Sequence, residues 1–287
     1  GKSTVTTLVG EMARAAGLRV GVGGNLGTPV LDLLKPDAQL YVLELSSFQL
    51  ETTQSLHCKA ATILNISQDH LDRHGTMENY AAAKAIVFKG CTKPVANRDD
   101  TAVMGLTPKY AITFGLTSPR QSGDFGVVST CHGNHLTVNE SGENQNLVSA
   151  DQLNIFGTHN WANALAALAL AEAAGLPREA SLRALREFKG LPHRCEFVAE
   201  LGGVRYFNDS KGTNVGSTAA ALKGLPAPIV WLAGGQGKGQ SFSELREVLA
   251  QKGRAAILFG EDAGKIEQDI FGALPVYREA DMFKALS

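Results

Sequence analysis

Cysteine is scarce in this sequence: four in 287 residues, Cys58, Cys91, Cys131 and Cys195, with no C-x-x-C among them. That argues against a disulfide framework or a cysteine zinc site and fits reduced thiols in a cytoplasmic protein. An excess of charge of one sign is missing too. Twenty-seven basic residues face 28 acidic ones, a formal net charge of −1, so neither nucleic acid nor an anionic membrane surface is expected as a partner. No apolar run approaches the roughly 20 residues that cross a bilayer, so no membrane insertion is expected. No stretch reads as a signal peptide. Internal repeats and low-complexity tracts are absent, and a monomer is expected. What remains is ordinary globular material: 44% hydrophobic residues, enough for a sizeable core, on a length that suggests two domains.

Short apolar runs alternate with helical patterns almost throughout, which predicts parallel α/β units. Residues 4–16 read as a helix stopped by Gly17. Strands are predicted at 19–22, 40–45, 61–66, 94–97 and 111–114, with a helical pattern over 77–89. From Asp124 to Ala150 the texture changes to short alternating segments between Gly- and Asn-rich turns, as in a small antiparallel sheet. An Ala/Leu-rich helix follows over 160–174, then another over 178–188. Gly190-Leu191-Pro192-His193 combines helix stop, Gly and Pro, a plausible hinge. Past it a second α/β series predicts strands at 204–207, 229–233 and 256–259. The chain ends in a helical pattern with no closing strand.

The first residues carry chemistry. Gly1-Lys2-Ser3-Thr4 matches the end of the phosphate-binding pattern G-x-x-x-x-G-K-[ST]. Gly lets backbone N–H groups close on phosphate oxygens, Lys2 supplies charge for the β/γ-phosphates, and a hydroxyl of Ser3 or Thr4 can ligate Mg²⁺. The helix behind them aims its positive end at the same anion. An ordinary helix start is the competing reading. If the loop is real, an upstream strand and half of the anion cradle are expected before Gly1, and further elements after Ser287.

Other polar residues sit at the carboxyl ends of predicted strands, where open α/β sheets hold ligands. Glu44 ends one strand and suits a Mg²⁺ ion shared with phosphate, or it caps the next helix. Asp69-His70-Leu71-Asp72 follows another strand and could hold a cation or steer a carboxylate; an N-capping Asp69 beside a solvated His70 explains it as well. Asn25 follows Gly23-Gly24 and is either a ligand or a turn residue. Lys84 lies among small residues in a helical stretch; it is a surface residue, or one whose pKa burial depresses until it reacts. Asn160 and Asn163 share a helix face, a placement suited to reading a base edge. Asn208-Asp209-Ser210-Lys211-Gly212-Thr213-Asn214 packs anion, cation and hydroxyl into one strand-to-helix turn. Gly234-Gly235-Gln236-Gly237-Lys238-Gly239 ends the next strand with glycines for close backbone approach and a charge for an anion.

Taken together, these strings resemble the Mur ligases, the ATP-dependent amide-forming enzymes of peptidoglycan precursor synthesis. GKST, GGN, ELSSFQLE, the N-x-x-x-D-H-L-D string, HNxxNA, LPHR, NDSKGTN and GGxxKG stand in family order over essentially the whole chain. ELSSFQLE, from Glu44 to Glu51, points to the branch that adds D-glutamate to UDP-N-acetylmuramoyl-L-alanine. The resemblance implies an α/β chain in two parts. Residues 1–191 would form a P-loop-containing central domain, with a mostly parallel sheet plus a small antiparallel one and lacking its first strand. Residues 192–287 would form a truncated Rossmann-like ligase domain.

It also implies roles. Gly1, Lys2, Ser3 and Thr4 would bind ATP, with Asn160, Asn163, Arg194 and Asp209 on the nucleotide. Ser3 and Glu44 would hold one Mg²⁺, and His70 with a carbamylated Lys84 a second. Asn25, Ser46 and His70 would meet the muramoyl substrate. Lys211, Thr213 and Lys238 would meet the amino acid or the transferring phosphate, with Lys84, His70 and Lys211 the catalytic set. Closure across the hinge would assemble the site.

Gln236 departs from the acidic residue that some members carry. With the UDP-sugar domain and the end of the amino-acid pocket outside these residues, a polypeptide of this extent is expected to be inactive. Alternatives remain open: a sister Mur ligase, a folylpolyglutamate synthetase, or a nucleotide-binding module without chemistry. A P-loop kinase fits less well, having no need of the second lysine-bearing domain.

Overall fold

The alternation of helical and extended patterns becomes two units in the computed structural model, which describes residues 1–67, 70–237 and 239–286, the side chain of Asp72 excepted. One unit is Gly1–Asn154 with Asn160–Lys189; the other is Ile155–His159 with Gly190–Ser287.

In the first unit, α1 (Lys2–Ala15) buries Val5, Leu8, Val9 and Met12, which recur at the three-to-four spacing of one helix face. It ends in a Schellman turn. Gly17 sits at φ 83°, its N–H donates to the Arg14 carbonyl and that of Leu18 to the Ala13 carbonyl. Strands β1 (Val20–Gly24) and β2 (Leu40–Glu44) pair in parallel, so that Gly24 lies opposite Glu44. The short helix α2 (Ser47–Glu51) follows β2 directly.

Next come β3 (Ala60–Ile63), α3 (Leu71–His74), α4 (Met77–Ala85), β4 (Lys93–Asn97), α5 (Thr101–Leu106) and β5 (Ile112–Phe114). The antiparallel meander β6 (Phe125–Thr130), β7 (Gly133–Glu140) and β8 (Glu143–Ser149) extends the same sheet rather than forming its own. The order is β3-β4-β5-β6-β7-β8, parallel as far as β6 and antiparallel beyond, with a single register pair, Phe114 with Phe125, joining the halves.

Helix α6 (Thr158–Ala173) buries every residue from Ala164 to Ala169, the behaviour of a helix apolar all round. Helix α7 (Arg178–Glu187) lies against α1, where Arg183 Nη2 donates to the last carbonyl of that helix, Ala15, at 2.8 Å. A cation at that terminus also meets the negative end of the helix dipole.

The second unit opens with a ribbon the sequence reading missed in part: β9 (Glu196–Leu201) pairs antiparallel with β10 (Val204–Asn208). Phe197, Val198 and Leu201 are exposed, so β9 buries neither face cleanly and carries no alternation to read. Then follow α8 (Val215–Gly224), β11 (Ile229–Gly234), α9 (Leu245–Lys252), β12 (Gly253–Phe259) and α10 (Ala263–Asp269). The expectation of no closing strand is corrected by β13 (Val276–Arg278), which pairs parallel with β12 before α11 (Met282–Ala285). Three residues are too few to show a period. The three parallel strands, in the order β11-β12-β13, cover a core of Leu222, Leu245, Leu249, Leu258 and Ile270.

Leu165 is fully buried in α6. Leu165→Ala is expected to lower stability by about 2–5 kcal/mol, read from the midpoint of urea unfolding followed by circular dichroism.

Candidate active site

The start of α1 has no side-chain cap and no acidic residue in its first turn, and the positive end of the helix favours an anion. Ser3 and Thr4 are buried there, while Lys2 is exposed. Gly1 fits closely: a Cβ on it would stand 3.1 Å from both Asn163 Oδ1 and Leu64 Cδ1. Asn163 in turn donates from Nδ2 to Asn160 Oδ1 at 3.0 Å, both side chains buried in α6. Leu64 opens the loop after β3, which is tied down where Asn97 Nδ2 donates to the Leu64 carbonyl and the Ile66 N–H to Asp100 Oδ2. Thus the α1 N-terminus lies between the β3 loop and the asparagine pair of α6.

Glu44 is 5% exposed at the end of β2. A Cβ on Gly24, which has φ 103°, would stand 2.4 Å from the Glu44 carbonyl oxygen, so only glycine permits this approach. Asn25 exploits it twice. Its N–H donates to that carbonyl at 2.7 Å, and its Nδ2 donates to Glu44 Oε1 at 3.0 Å. Asn25 is therefore more than a turn residue. Glu44 Oε2 is buried without a hydrogen-bond partner, a costly state unless something neutralises it. The capping alternative for Glu44 is settled by Ser46, which caps α2 in a reciprocal box: Gln49 N–H donates to Ser46 Oγ, and Ser46 N–H to Gln49 Oε1. The Ser46 hydroxyl is thereby engaged. A buried carboxylate with one open oxygen suits a hard divalent cation such as Mg²⁺.

Helices α2, α3 and α4 converge through a residue the sequence reading passed over. The His74 ring is buried; its Nε2 stands 3.0 Å from Ser47 Oγ and its Nδ1 3.3 Å from Glu51 Oε1. The ring also stacks on Phe48, at 5.6 Å between centroids and 13° between planes, and leans on Tyr80 at 5.2 Å. Phe48 reaches on to His70 at 5.0 Å, and Tyr80 lies under Lys84, whose Nζ is 4.6 Å from the ring centroid. So His70 and Lys84, fourteen positions apart, hang on one set of rings. Ser47 and Glu51 belong to the ELSSFQLE string, but nothing in the sequence marks His74 as their partner. Asp69, the candidate cap, lies outside the described residues. The N-cap position of α3 is His70 itself, at φ 51°.

In the second unit, Arg194, Asp209, Lys211 and Thr213 belong to two loops stitched together. Asp209 Oδ1 accepts from the Cys195 N–H at 3.0 Å, the Lys211 N–H donates to the His193 carbonyl at 3.0 Å, and Asn208 Nδ2 lies 2.8 Å from His193 Nδ1. Burial raises the Asp209 pKa, while the Cys195 N–H and the Arg194 charge oppose the rise. The Cys195 thiol beside it is pushed up to about 12, first by burial and then by the Asp209 charge. His193 and Cys195 stand at φ 64° and 46°. With His70 they are three of the four non-glycine residues at positive φ among the described residues, and such strain gathers at functional loops. Gln236 donates to Glu261 Oε2 at 2.8 Å, and the Gly237 N–H bonds to Asp262. Lys238 lies outside the described residues.

His159 opens the HNxxNA string. Its ring is wedged between glycines: a Cβ on Gly157 would come within 2.8 Å of it, and one on Gly224 within 2.6 Å. Burial lowers its pKa to about 4, against a hydrogen bond with the Ala220 backbone, and its Nδ1 is buried without a partner.

Comparison with known proteins follows the same ground. The Mur ligase middle domain matches residues 1–171, and the Mur ligase, glutamate ligase domain matches residues 193–287. The chain belongs to the Mur ligase family. Relatives named UDP-N-acetylmuramoylalanine–D-glutamate ligase include that of Hahella chejuensis, 50% identical over 100% of this chain and 64% of its own length. That of Acinetobacter baylyi is 53% identical over 93% of this chain and 61% of its own length. The chain therefore spans somewhat under two thirds of these curated relatives. Among solved Mur ligases, MurF from Acinetobacter baumannii superposes with a TM-score of 0.72 at 20% identity, covering 97% of this chain and 65% of that one. MurC from Thermotoga maritima gives 0.65 at 19%, covering 98% and 65%. These likenesses show the fold.

Because folded His159 resists protonation until about pH 4 and the unfolded chain takes up the proton near 6.5, stability is present above pH 6.5 and lost as pH falls toward 4. The loss attributable to this residue is at most about 3 kcal/mol. His159→Gln is expected to flatten the fall of Tm between pH 7 and pH 4.5, measured by calorimetry.

Proposed function

We propose that this chain is part of an ATP-dependent acid–amino-acid ligase of the MurD type, which joins D-glutamate to UDP-N-acetylmuramoyl-L-alanine. The observation that carries this reading is the set of relatives bearing that enzyme's name, half identical from end to end of the chain. In this reading residues 1–191 are the ATP-binding central domain and 192–287 the C-terminal ligase domain.

The substrate carboxylate attacks the γ-phosphorus of ATP, ADP leaves, and an acyl phosphate forms. The amine of D-glutamate then attacks the acyl carbon. The tetrahedral adduct collapses with loss of phosphate, and the new amide nitrogen gives up a proton. Both steps demand positioning and charge neutralisation more than covalent help from the protein. The uncapped N-terminus of α1, with Gly1, Lys2, Ser3 and Thr4, suits the phosphates. Asn160, Asn163, Arg194 and Asp209 serve the nucleotide. Asn25 and His70, with Ser46 at the cap of α2, serve the muramoyl substrate, and Lys211, Thr213 and Lys238 the amino acid or the transferring phosphate.

Mg²⁺, when bound, neutralises phosphate charge. The open Oε2 of Glu44 fits one ion together with Ser3. His70 and a carbamylated Lys84 are the candidates for a second, and carbamylation turns a cation into a carboxylate-like anion. Lys84, His70 and Lys211 form the proposed catalytic set.

The full-length protein is expected to release phosphate from ATP when given UDP-N-acetylmuramoyl-L-alanine and D-glutamate. Replacing D-glutamate by L-lysine, diaminopimelate or L-glutamate should abolish release. Turnover with one of those instead would assign a sister ligase, and no turnover with any would leave a binding module. Glu44→Ala is expected to cut kcat at least about a hundredfold and raise the Mg²⁺ concentration needed for half-maximal rate. An unchanged Mg²⁺ titration would remove Glu44 from the metal site.

A further inference from the structure

Two cysteines that are distant in sequence meet at the start of the six-stranded sheet. Strands β3 and β4 run parallel, with Ala60 opposite Lys93 and Ile63 opposite Ala96. Just before these pairs the ladder ends, with the Cys91 N–H donating to the Phe88 carbonyl, but the two segments stay side by side. The backbones still pair there: the Thr92 N–H donates to the Cys58 carbonyl at 3.0 Å, and the Lys93 N–H to the Lys59 carbonyl at 3.0 Å. Neighbouring strands stand about 4.8 Å apart, inside the roughly 4.4–6.8 Å that a disulfide spans between Cα atoms. The Cys58 thiol donates to the Val87 carbonyl at 3.6 Å, and Cys58 packs against the buried cluster to which Cys91 belongs. Cys91 is buried and Cys58 half-buried, both at the edge of the cluster formed by Ala61, Ile63 and Phe88.

The pair is chemically unequal. The neighbouring Cys58 thiol, and then the backbone N–H groups of Lys93 and Ala61, lower the Cys91 pKa against its burial. The Cys91 thiol, followed by burial, pushes the Cys58 thiol up. One sulfur is thus prepared as the nucleophile and the other as the resolving thiol.

We propose that Cys58 and Cys91 form a modification site, a reversible disulfide across β3 and β4 made when the protein meets a hydroperoxide. The Cys91 sulfur attacks a peroxide oxygen and the O–O bond breaks, leaving a sulfenic acid and a hydroxide that takes up a proton. Cys58 then attacks the Cys91 sulfur, its proton goes to the departing oxygen, and water leaves. The two thiols lose two electrons, which reduce the peroxide. Cys131, exposed in the turn between β6 and β7, has no such resolving neighbour and would stop at the sulfenic acid.

The test treats the folded full-length protein with hydrogen peroxide in the presence of dimedone, then denatures it, blocks remaining thiols with iodoacetamide and maps peptides by mass spectrometry. The expected result is a Cys58–Cys91 linked peptide lighter by two hydrogens, abolished by dithiothreitol, with dimedone on Cys131. In Cys58→Ser or Cys58→Ala the link disappears and dimedone appears on Cys91. Iodoacetamide on both Cys58 and Cys91 of the wild-type protein, while Cys131 is oxidised, overturns the proposal. So does dimedone on Cys91 to the same extent with and without Cys58.

Discussion

The close approach of Gly24 to the Glu44 carbonyl is the contact on which the candidate site depends. Parallel pairing of β1 with β2 brings the two backbones to a distance that no other side chain tolerates. The same approach lets Asn25 hold both the carbonyl and one carboxylate oxygen of Glu44. A carboxylate so fixed cannot turn to solvent, and its second oxygen is left buried and open. Fixing an anion in low-dielectric surroundings costs several kcal/mol unless a cation compensates. A buried carboxylate with one open oxygen therefore has the chemistry of a hard-cation ligand.

A second constraint holds the candidate catalytic residues. His70, at the N-cap of α3, and Lys84, in α4, each rest on a ring that touches His74. His74 is in turn fixed by Ser47 and Glu51 of α2. The string Glu44 to Glu51 thus combines two tasks in eight residues. Its first residue presents the open carboxylate, and the rest anchor the helices that carry His70 and Lys84. In the second unit, strained backbone at His193 and Cys195 does comparable work, clamping the Arg194 loop to the Asp209 turn through main-chain hydrogen bonds.

Much of the architecture was legible along the chain. Helix α1, strands β1, β2 and β4 and helices α6 and α7 follow from apolar spacing, apolar runs and Gly and Pro punctuation, all of them properties of neighbouring residues. The antiparallel meander was legible as well, though not its continuity with the parallel strands, which rests on the one pair Phe114 and Phe125. Strands β9 and β13 escaped because one is exposed on both faces and the other is three residues long. Among site residues, Glu44, Asn160 and Asn163 were visible as polar groups in apolar settings, and Asn25 as the residue after a glycine pair. His74 and His159 were not, since a lone histidine announces neither its burial nor its partners.

By itself, the sequence determined the alternation of elements, the polar residues at strand ends and the family strings, all properties of neighbouring residues. Only the tertiary structure decided that Gly1 rests on Asn163, that His74 joins three helices, and that Cys58 lies beside the Cys91 segment. Those facts depend on the register between segments far apart in the chain, and register is fixed by the mutual fit of whole strands and helices, which no local period encodes.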